Sequence, residues 1–325
     1  MTDTNSSITI EEGQRDGIFL MTLPVIIGDK TYIEGENLST KELYQGMADG
    51  VPVKTSQPSP QDLMDMWQSI LDEGYDEIVY IPMTLTLSSS YSTAAAFAQE
   101  FDGKVQVVNN YRLSSMLYEA VYDAKAYAEK GMSAKEIKEK LEGESKNSFM
   151  VLTVDTLKYL KEGGRVSASK FLVANLANIK PIMILHEAKI DAVKKARGLN
   201  MAKNKLVAYV KEKVEELYNE YAPERISIGI IDTFLNDEDS KDLLERVKKA
   251  FPNLKIMARK CPCSIACHVG ANALAVSATV MGERYFLQLW ETTVTRQNDE
   301  TQIFIEDASD DSYSNVLLLF VGIGV

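Results

Sequence analysis

Several segments carry side chains whose type and spacing can do chemistry. Lys54-Thr-Ser-Gln-Pro58 places two hydroxyls, Thr55 and Ser56, just before a helix beginning near Gln61. Free N–H groups and the helix dipole favour an anion there, although the same hydroxyls suit a helix cap. Thr84-Leu-Thr-Leu-Ser-Ser-Ser90 follows the apolar run Ile78–Ile81 and leads into an alanine-rich helical stretch. Hydroxyls at the C-terminal end of a parallel strand stand where α/β folds hold ligands. Caps by Ser88, Ser89 or Ser90 explain part of that run, but five hydroxyl residues in seven exceed what a cap needs. Gly163-Gly-Arg-Val-Ser167 combines two glycines, which permit close approach, with an arginine that can hold an anionic group. It is not a phosphate-binding P-loop, since no strand precedes it and no Gly-Lys-Ser/Thr ends it; a plain helix stop is the simpler alternative.

The segment Cys261-Pro-Cys-Ser-Ile-Ala-Cys-His268 puts four potential zinc ligands in eight residues. A finger or ribbon needs two separated pairs, so no metal is expected. A cysteine nucleophile with His268 as base is disfavoured if the segment is a strand, because adjacent residues then face opposite ways. Packed, small apolar cysteines are the expectation. His186, the other histidine, falls at a hairpin tip and reads as solvated.

The elements that must position these residues alternate between β-rich runs and amphipathic helical stretches. The runs are Phe19–Ile27, Ile78–Ile81, Val105–Val108, Phe149–Val154, Pro181–Leu185, Ile226–Ile231 and Leu254–Met257. Helical patterns cover Ser39–Ala48, Gln61–Glu73, Ser90–Phe101, Leu113–Glu129, Leu199–Tyr221 and Ser240–Phe251, and Ser133-Ala-Lys-Glu136 is a capping box. Strands separated by helices predict parallel crossover units and an α/β class. A hairpin, Pro181–Leu185 with Lys189–Val193, makes the second sheet mixed. A polar stretch at Glu142–Asn147 marks a seam, so the expected domains are 1–146 and 147–281, each α/β, with some elements crossing between them. Residues 282–325 form an extra tail whose run Val316–Val325 is a candidate buried strand.

The chain has 325 residues, and Lys+Arg 35 against Asp+Glu 47 leaves a net charge of −12. That surface repels phosphate backbones and argues against nucleic acid as a partner. Three clustered cysteines make no disulfide framework. No run reaches the ~18 apolar residues of a membrane span, and the acidic start lacks a signal peptide's basic region. A cytoplasmic protein without an integral membrane segment is expected.

Taken in order, Thr2-Asp-Thr4, Thr55-Ser-Gln-Pro-Ser59, Thr84 to Tyr91, Leu157-Lys-Tyr-Leu-Lys-Glu-Gly-Gly-Arg-Val-Ser167, Asn178-Ile-Lys-Pro181, Arg197-Gly198 and His268-Val-Gly-Ala-Asn-Ala-Leu274 resemble the DegV family. These are bacterial fatty-acid-binding proteins that act as substrate-carrying subunits of fatty acid kinase. The likeness covers residues 2 to about 281. It implies two α/β domains, one with a parallel or mostly parallel sheet and one with a mixed sheet, holding a lipid slot between them. It implies carboxylate contacts from Thr55, Ser56, Ser88 and His268, with Ser89 and Gly270 near the head group. Arg165 and Arg197 correspond to arginines facing the kinase catalytic subunit and the phosphoryl group.

The chain departs from that pattern in places. Leu87-Ser-Ser-Ser90 has Ser89 where the family has glycine, His268-Val-Gly-Ala-Asn272 keeps only the histidine and first glycine, and Asn109-Asn110 replaces Asp-Ser. Only Met1 stands where the family has its first apolar strand, and the tail run at Val316–Ile323 is a candidate to replace it. The expected function is presentation of a bound long-chain acid to a partner kinase for acyl-phosphate formation. No cofactor and no chemistry of the chain's own are expected. The rival readings are a hydrolase or transferase with Ser88 or a cysteine as nucleophile, and a binding module for a non-lipid ligand.

Overall fold

The computed structural model describes residues 1–166, 178–187 and 189–282. In chain order the first part contains β1 (Thr2–Asp3), α1 (Ile10–Asp16), β2 (Leu20–Met21), β3 (Pro24–Ile27), β4 (Lys30–Ile33), α2 (Thr40–Ala48), β5 (Val53–Thr55), α3 (Pro60–Asp72), β6 (Ile78–Tyr80), α4 (Ser90–Phe97), β7 (Val105–Val107), α5 (Ser114–Glu129) and α6 (Ala134–Gly143). The second contains β8 (Ser148–Thr153), α7 (Lys158–Glu162), β9 (Ile179–His186), β10 (Lys189–Arg197), α8 (Leu199–Leu217), β11 (Ile226–Asp232), α9 (Asp237–Ala250), β12 (Lys255–Lys260), α10 (Cys263–Val269) and β13 (Leu274–Val280). This is a mixed α/β fold with both parallel and mixed sheets.

β1 is parallel to β2, β6 is parallel to β7, and a bridge from Thr2 to Ile81 joins the two pairs. The result is a parallel layer in the order β2-β1-β6-β7. Between β2 and β6 the backbone of Met1 and Thr2 is paired: Thr2 N–H donates to Phe19 O at 2.9 Å and Ile81 N–H to Met1 O at 3.0 Å. The proposed replacement strand at Val316–Ile323 lies outside the described residues. β4-β3-β5 form a small antiparallel sheet beside this layer. The run Phe19–Ile27, expected as one strand, is two, β2 and β3, which belong to different sheets.

The larger sheet runs β10-β9-β8-β13-β11-β12, antiparallel at every pairing except β11 with β12. The hairpin expected at Pro181–Val193 is β9 and β10, and His186 ends β9 opposite Lys189. Alternation along the strands sends Val151, Ile228 and Val276 to one face, packed with Leu206, Val210 and Leu243 of α8 and α9. Leu152, Ile231 and Ala275 go to the other face, with Val25, Leu43 and Cys267. α5 also packs on that second face. Ser115 Oγ and Ser277 Oγ are 2.8 Å apart, and a Cβ on Gly229 would lie 2.5 Å from Ser115. Small residues at Ser115, Gly229 and Ser277 let helix and sheet approach this closely.

The Ser133–Glu136 capping box is formed. The segment expected as a strand near His268 is instead α10. Pro262 stands at its N-cap, and most of its residues are buried, so it shows no polar stripe from which a helical period could be read. Among the described residues no helix is long and apolar enough to cross a membrane.

Candidate functional site

The second face of the large sheet is not fully covered. Beyond the end of α5 it leaves a cavity of about 300 Å³, at the small end of the ~300–1,000 Å³ usual for small-molecule sites. Its apolar walls include Met150, Leu152, Leu185, Ile190, Ile231 and Ala275. Polar groups gather where β5, the turn before α4, the loop after α7 and α10 converge. Thr55, Ser56, Ser88, Ser89, Arg165 and His268 all line the cavity. Residues more than two hundred positions apart in sequence thus share one site.

Thr55 ends β5, and its Oγ1 is 2.9 Å from His268 Nε2. The helix that follows is capped by Ser59, whose Oγ accepts from Asp62 N–H. Thr55 and Ser56 are therefore not its caps. Ser88 Oγ is 2.8 Å from Ser90 Oγ and accepts from Ser90 N–H. Ser89 takes the N-cap position of α4 without a side-chain cap bond. Its side chain is exposed on the cavity wall.

Arg165 ties the glycine loop to the serine turn. Its Nε donates to Leu87 O at 3.0 Å and its Nη1 to Gly163 O at 2.5 Å. Gly163 is needed for a different reason from the one its pairing with Gly164 suggests. A Cβ there would lie 2.6 Å from His268 Nδ1 and 3.1 Å from Tyr159 O, so any larger residue pushes the imidazole off Thr55. Gly270 caps α10 with φ +77° against the Tyr159 ring, and the exposed Arg197 ends β10 opposite Ile179. Neither lines the cavity.

Burial, with a smaller push from Arg165, lowers the His268 pKa to about 4, so the imidazole is neutral at pH 7. The unfolded chain keeps the ordinary value near 6.5. As pH falls from about 6.5 towards 4, the unfolded state binds a proton that the native state refuses, and stability is lost through that window. We expect the ligand-free protein to lose about 1–2 kcal/mol more than His268→Gln between about pH 7.5 and about pH 5. Denaturant unfolding at the two pH values checks this. Equal losses would mean that His268 is not held neutral by its burial.

The cysteines do not resemble a nucleophile. All three are free and buried. Burial, with nearby Glu34, pushes the Cys263 thiol up to about 12, and burial does the same for Cys267. Thiols held this high are protonated and unreactive at neutral pH. Among the described residues no group of three His, Cys, Asp or Glu side chains could hold a metal ion.

Sequence reasoning did not single out Asn5, Glu34 or Ser264. Asn5 and Ser264 line the cavity, and Glu34 accepts hydrogen bonds from Ser264 behind it. Nothing local marks them, because Asn5 sits in a short 3-10 turn and Glu34 follows a hairpin strand.

The DegV family model matches residues 1–280. A DegV domain-containing protein of Deinococcus radiodurans is 30% identical over 217 residues, 66% of this chain and 77% of that one. One from Streptococcus pyogenes serotype M3 is 29% identical over 283 residues, 86% of this chain and 97% of that one. Among solved structures, a DegV family protein from Thermus thermophilus characterised by fatty acid binding superposes with a TM-score of 0.74 at 25% identity, covering 86% of this chain and 98% of its own. A fatty acid binding DegV family protein from Streptococcus agalactiae gives 0.75 at 25% identity, with the same coverages.

Proposed function

We propose, from the premise that this chain belongs to the DegV family, that it is a carrier holding a long-chain fatty acid in the cavity and presenting the carboxylate to a kinase. The observation that carries the reading is the cavity's division into an apolar floor and one cluster of hydroxyls with a neutral imidazole. In it Thr55, Ser56, Ser88 and His268 hold the carboxylate, with Ser89 beside the head group, while Gly270 stands off the cavity wall and ends the helix that carries His268. The lobes 1–146 and 147–281 meet across it: the three hydroxyls come from the first, His268 and Arg165 from the second.

The energetics favour a lipid over a small polar ligand. A ~16-carbon tail contributes roughly 0.8 kcal/mol per buried methylene, about 12 kcal/mol before association costs. Each hydroxyl bond to a carboxylate adds only about 1.5–3 kcal/mol. The tail supplies affinity and the cluster supplies orientation. A carboxylate beside His268 also favours its protonated form, so binding takes up a proton at mildly acidic pH. Ser88 is engaged with Ser90, and His268 with Thr55. The pairing of nucleophile and base that a hydrolase needs is not formed between them.

On this reading Arg165 and Arg197 face the partner, where a guanidinium meets phosphate or an acidic surface. Mass spectrometry of ligand released from freshly purified protein is expected to find a long-chain acid at about one per chain. Ser88→Ala and His268→Ala should lower that content. Arg197→Ala should keep the lipid and lower kinase-dependent acyl-phosphate formation. Recovery of a polar metabolite alone would sink the carrier reading, and loss of lipid from Arg197→Ala would sink the division of roles.

A further inference from the structure

We infer that Ile190 sets the greatest acyl length the cavity accepts; this rests on the carrier reading above. Two rows of residues on the second face of the large sheet bear on the tail's path, about 7 Å apart along the strands. The upper row is Ile231, Ala275 and Leu152, on β11, β13 and β8, and all three line the cavity. The lower row runs Gly229, Ser277, Met150, Leu185 and Ile190, straight across β11, β13, β8, β9 and β10.

The inner half of the lower row is closed. Ser115 of α5 sits on Gly229 and Ser277, its Oγ 2.8 Å from Ser277 Oγ. The outer half is open: Met150, Leu185 and Ile190 all line the cavity. The remaining corner, at Asn5, Ser264 and Asp232, is polar and a poor bed for hydrocarbon. A tail that leaves the head-group cluster and crosses the upper row therefore continues outward, over Met150 and Leu185 to Ile190. Two strand spacings separate Met150 from Ile190, about 10 Å.

That path ends at Ile190. Among the described residues no strand lies beyond β10. Leu185 and Met150 are 3% and 5% exposed, whereas Ile190 is half-buried between the exposed Lys189 and Asp191. Its side chain is the boundary between cavity and water. It is β-branched and stiff, unlike Met150, whose thioether chain adapts to what it meets. A tail whose last methyl rests on such a stop gains nothing from further carbons. Each added carbon either overpacks the end of the cavity or stays in water, where no burial is gained.

The test measures equilibrium binding of the even-numbered saturated acids from laurate to behenate by the full chain. Affinity should rise by roughly four-fold per methylene up to one length and rise no further beyond it. Ile190→Ala should move that limit up by about two carbons, the acid just past the old limit gaining roughly 10–15-fold. Ile190→Phe should move it down by about two carbons and leave shorter acids bound as before. Ile184→Ala is the control. Its side chain packs on the opposite face of β9, against the α8 core, so it should lower the melting temperature and leave the limit in place. Either Ile190 variant decides alone if the other does not fold. A limit unmoved by these substitutions, or a loss equal at every length, overturns Ile190 as the stop and leaves the carrier reading standing. Failure of every acid to bind the unaltered chain overturns both.

Discussion

Ala275→Phe should empty the cavity of lipid. Ala275 lies on β13 directly between Leu152 of β8 and Ile231 of β11, and all three line the cavity floor. A phenyl group there stands where the acyl chain would lie. If it displaces about six methylenes, each worth roughly 0.8 kcal/mol, binding falls by about 5 kcal/mol, more than a thousand-fold. The fold should survive, because the ring enters existing space, at an overpacking cost of about 1–3 kcal/mol at most. Val276→Ala is the control. Its side chain points to the opposite face, into the α8 and α9 core, so it should lower the melting temperature and leave the lipid bound. Mass spectrometry of retained acid and a thermal melt of both variants decide the matter. Unchanged lipid content in Ala275→Phe would place the tail elsewhere.

Gly229→Ala should cause a large loss of stability for a single methyl group. The added Cβ would lie 2.5 Å from both Cβ and Oγ of Ser115 and 2.6 Å from Ser277 Oγ. Neither neighbour is the loose end of a long side chain. Ser115 is fixed on α5, and Ser277 belongs to a strand paired on both sides. Relief requires α5 to lift from the sheet, at about 3 kcal/mol, or a fall in Tm of roughly 6–12 °C at about 2–4 °C per kcal/mol. Ser115→Gly in the same chain should recover part of the loss, since it removes one of the clashing atoms, and a double-mutant cycle would show coupling. A purely additive pair would mean that α5 does not press on β11 as described.

Much of the fold was legible because local signals agreed with tertiary need. The capping box at Ser133, the β9–β10 hairpin and the apolar run of β11 each carry their cause in a few residues. β13 is the instructive omission. Leu-Ala-Val-Ser-Ala-Thr-Val is poor in large side chains because α5 crowds Ser277 and a cavity adjoins Ala275. The centre of the large sheet therefore looks weak in sequence. α10 misled for the converse reason: a short helix buried on most sides has no polar stripe, so its histidine appeared to sit on a strand. Spacing alone did not assemble the site. Thr55, Ser88 and His268 are joined by tertiary contacts, and only the ordered likeness to a family brought them together. Gly163 stood out for its pairing with Gly164, whereas its use is room for an imidazole. Asn5 carries no local mark at all.

The place of β13 has a consequence for synthesis. It is the last strand of the described chain, yet it lies between β8 and β11, antiparallel to both. Until it emerges from the ribosome, the growing polypeptide carries β10-β9-β8 and β11-β12 as two partial sheets, each with a bare inner edge of unpaired N–H and C=O groups. Such edges invite pairing with other chains. At roughly 5–20 residues per second, the interval between completing β8 and delivering β13, more than a hundred residues later, is several seconds or more. The nascent chain is most vulnerable to aggregation in that interval, and a premature stop just before Leu274 would make the exposed edges permanent.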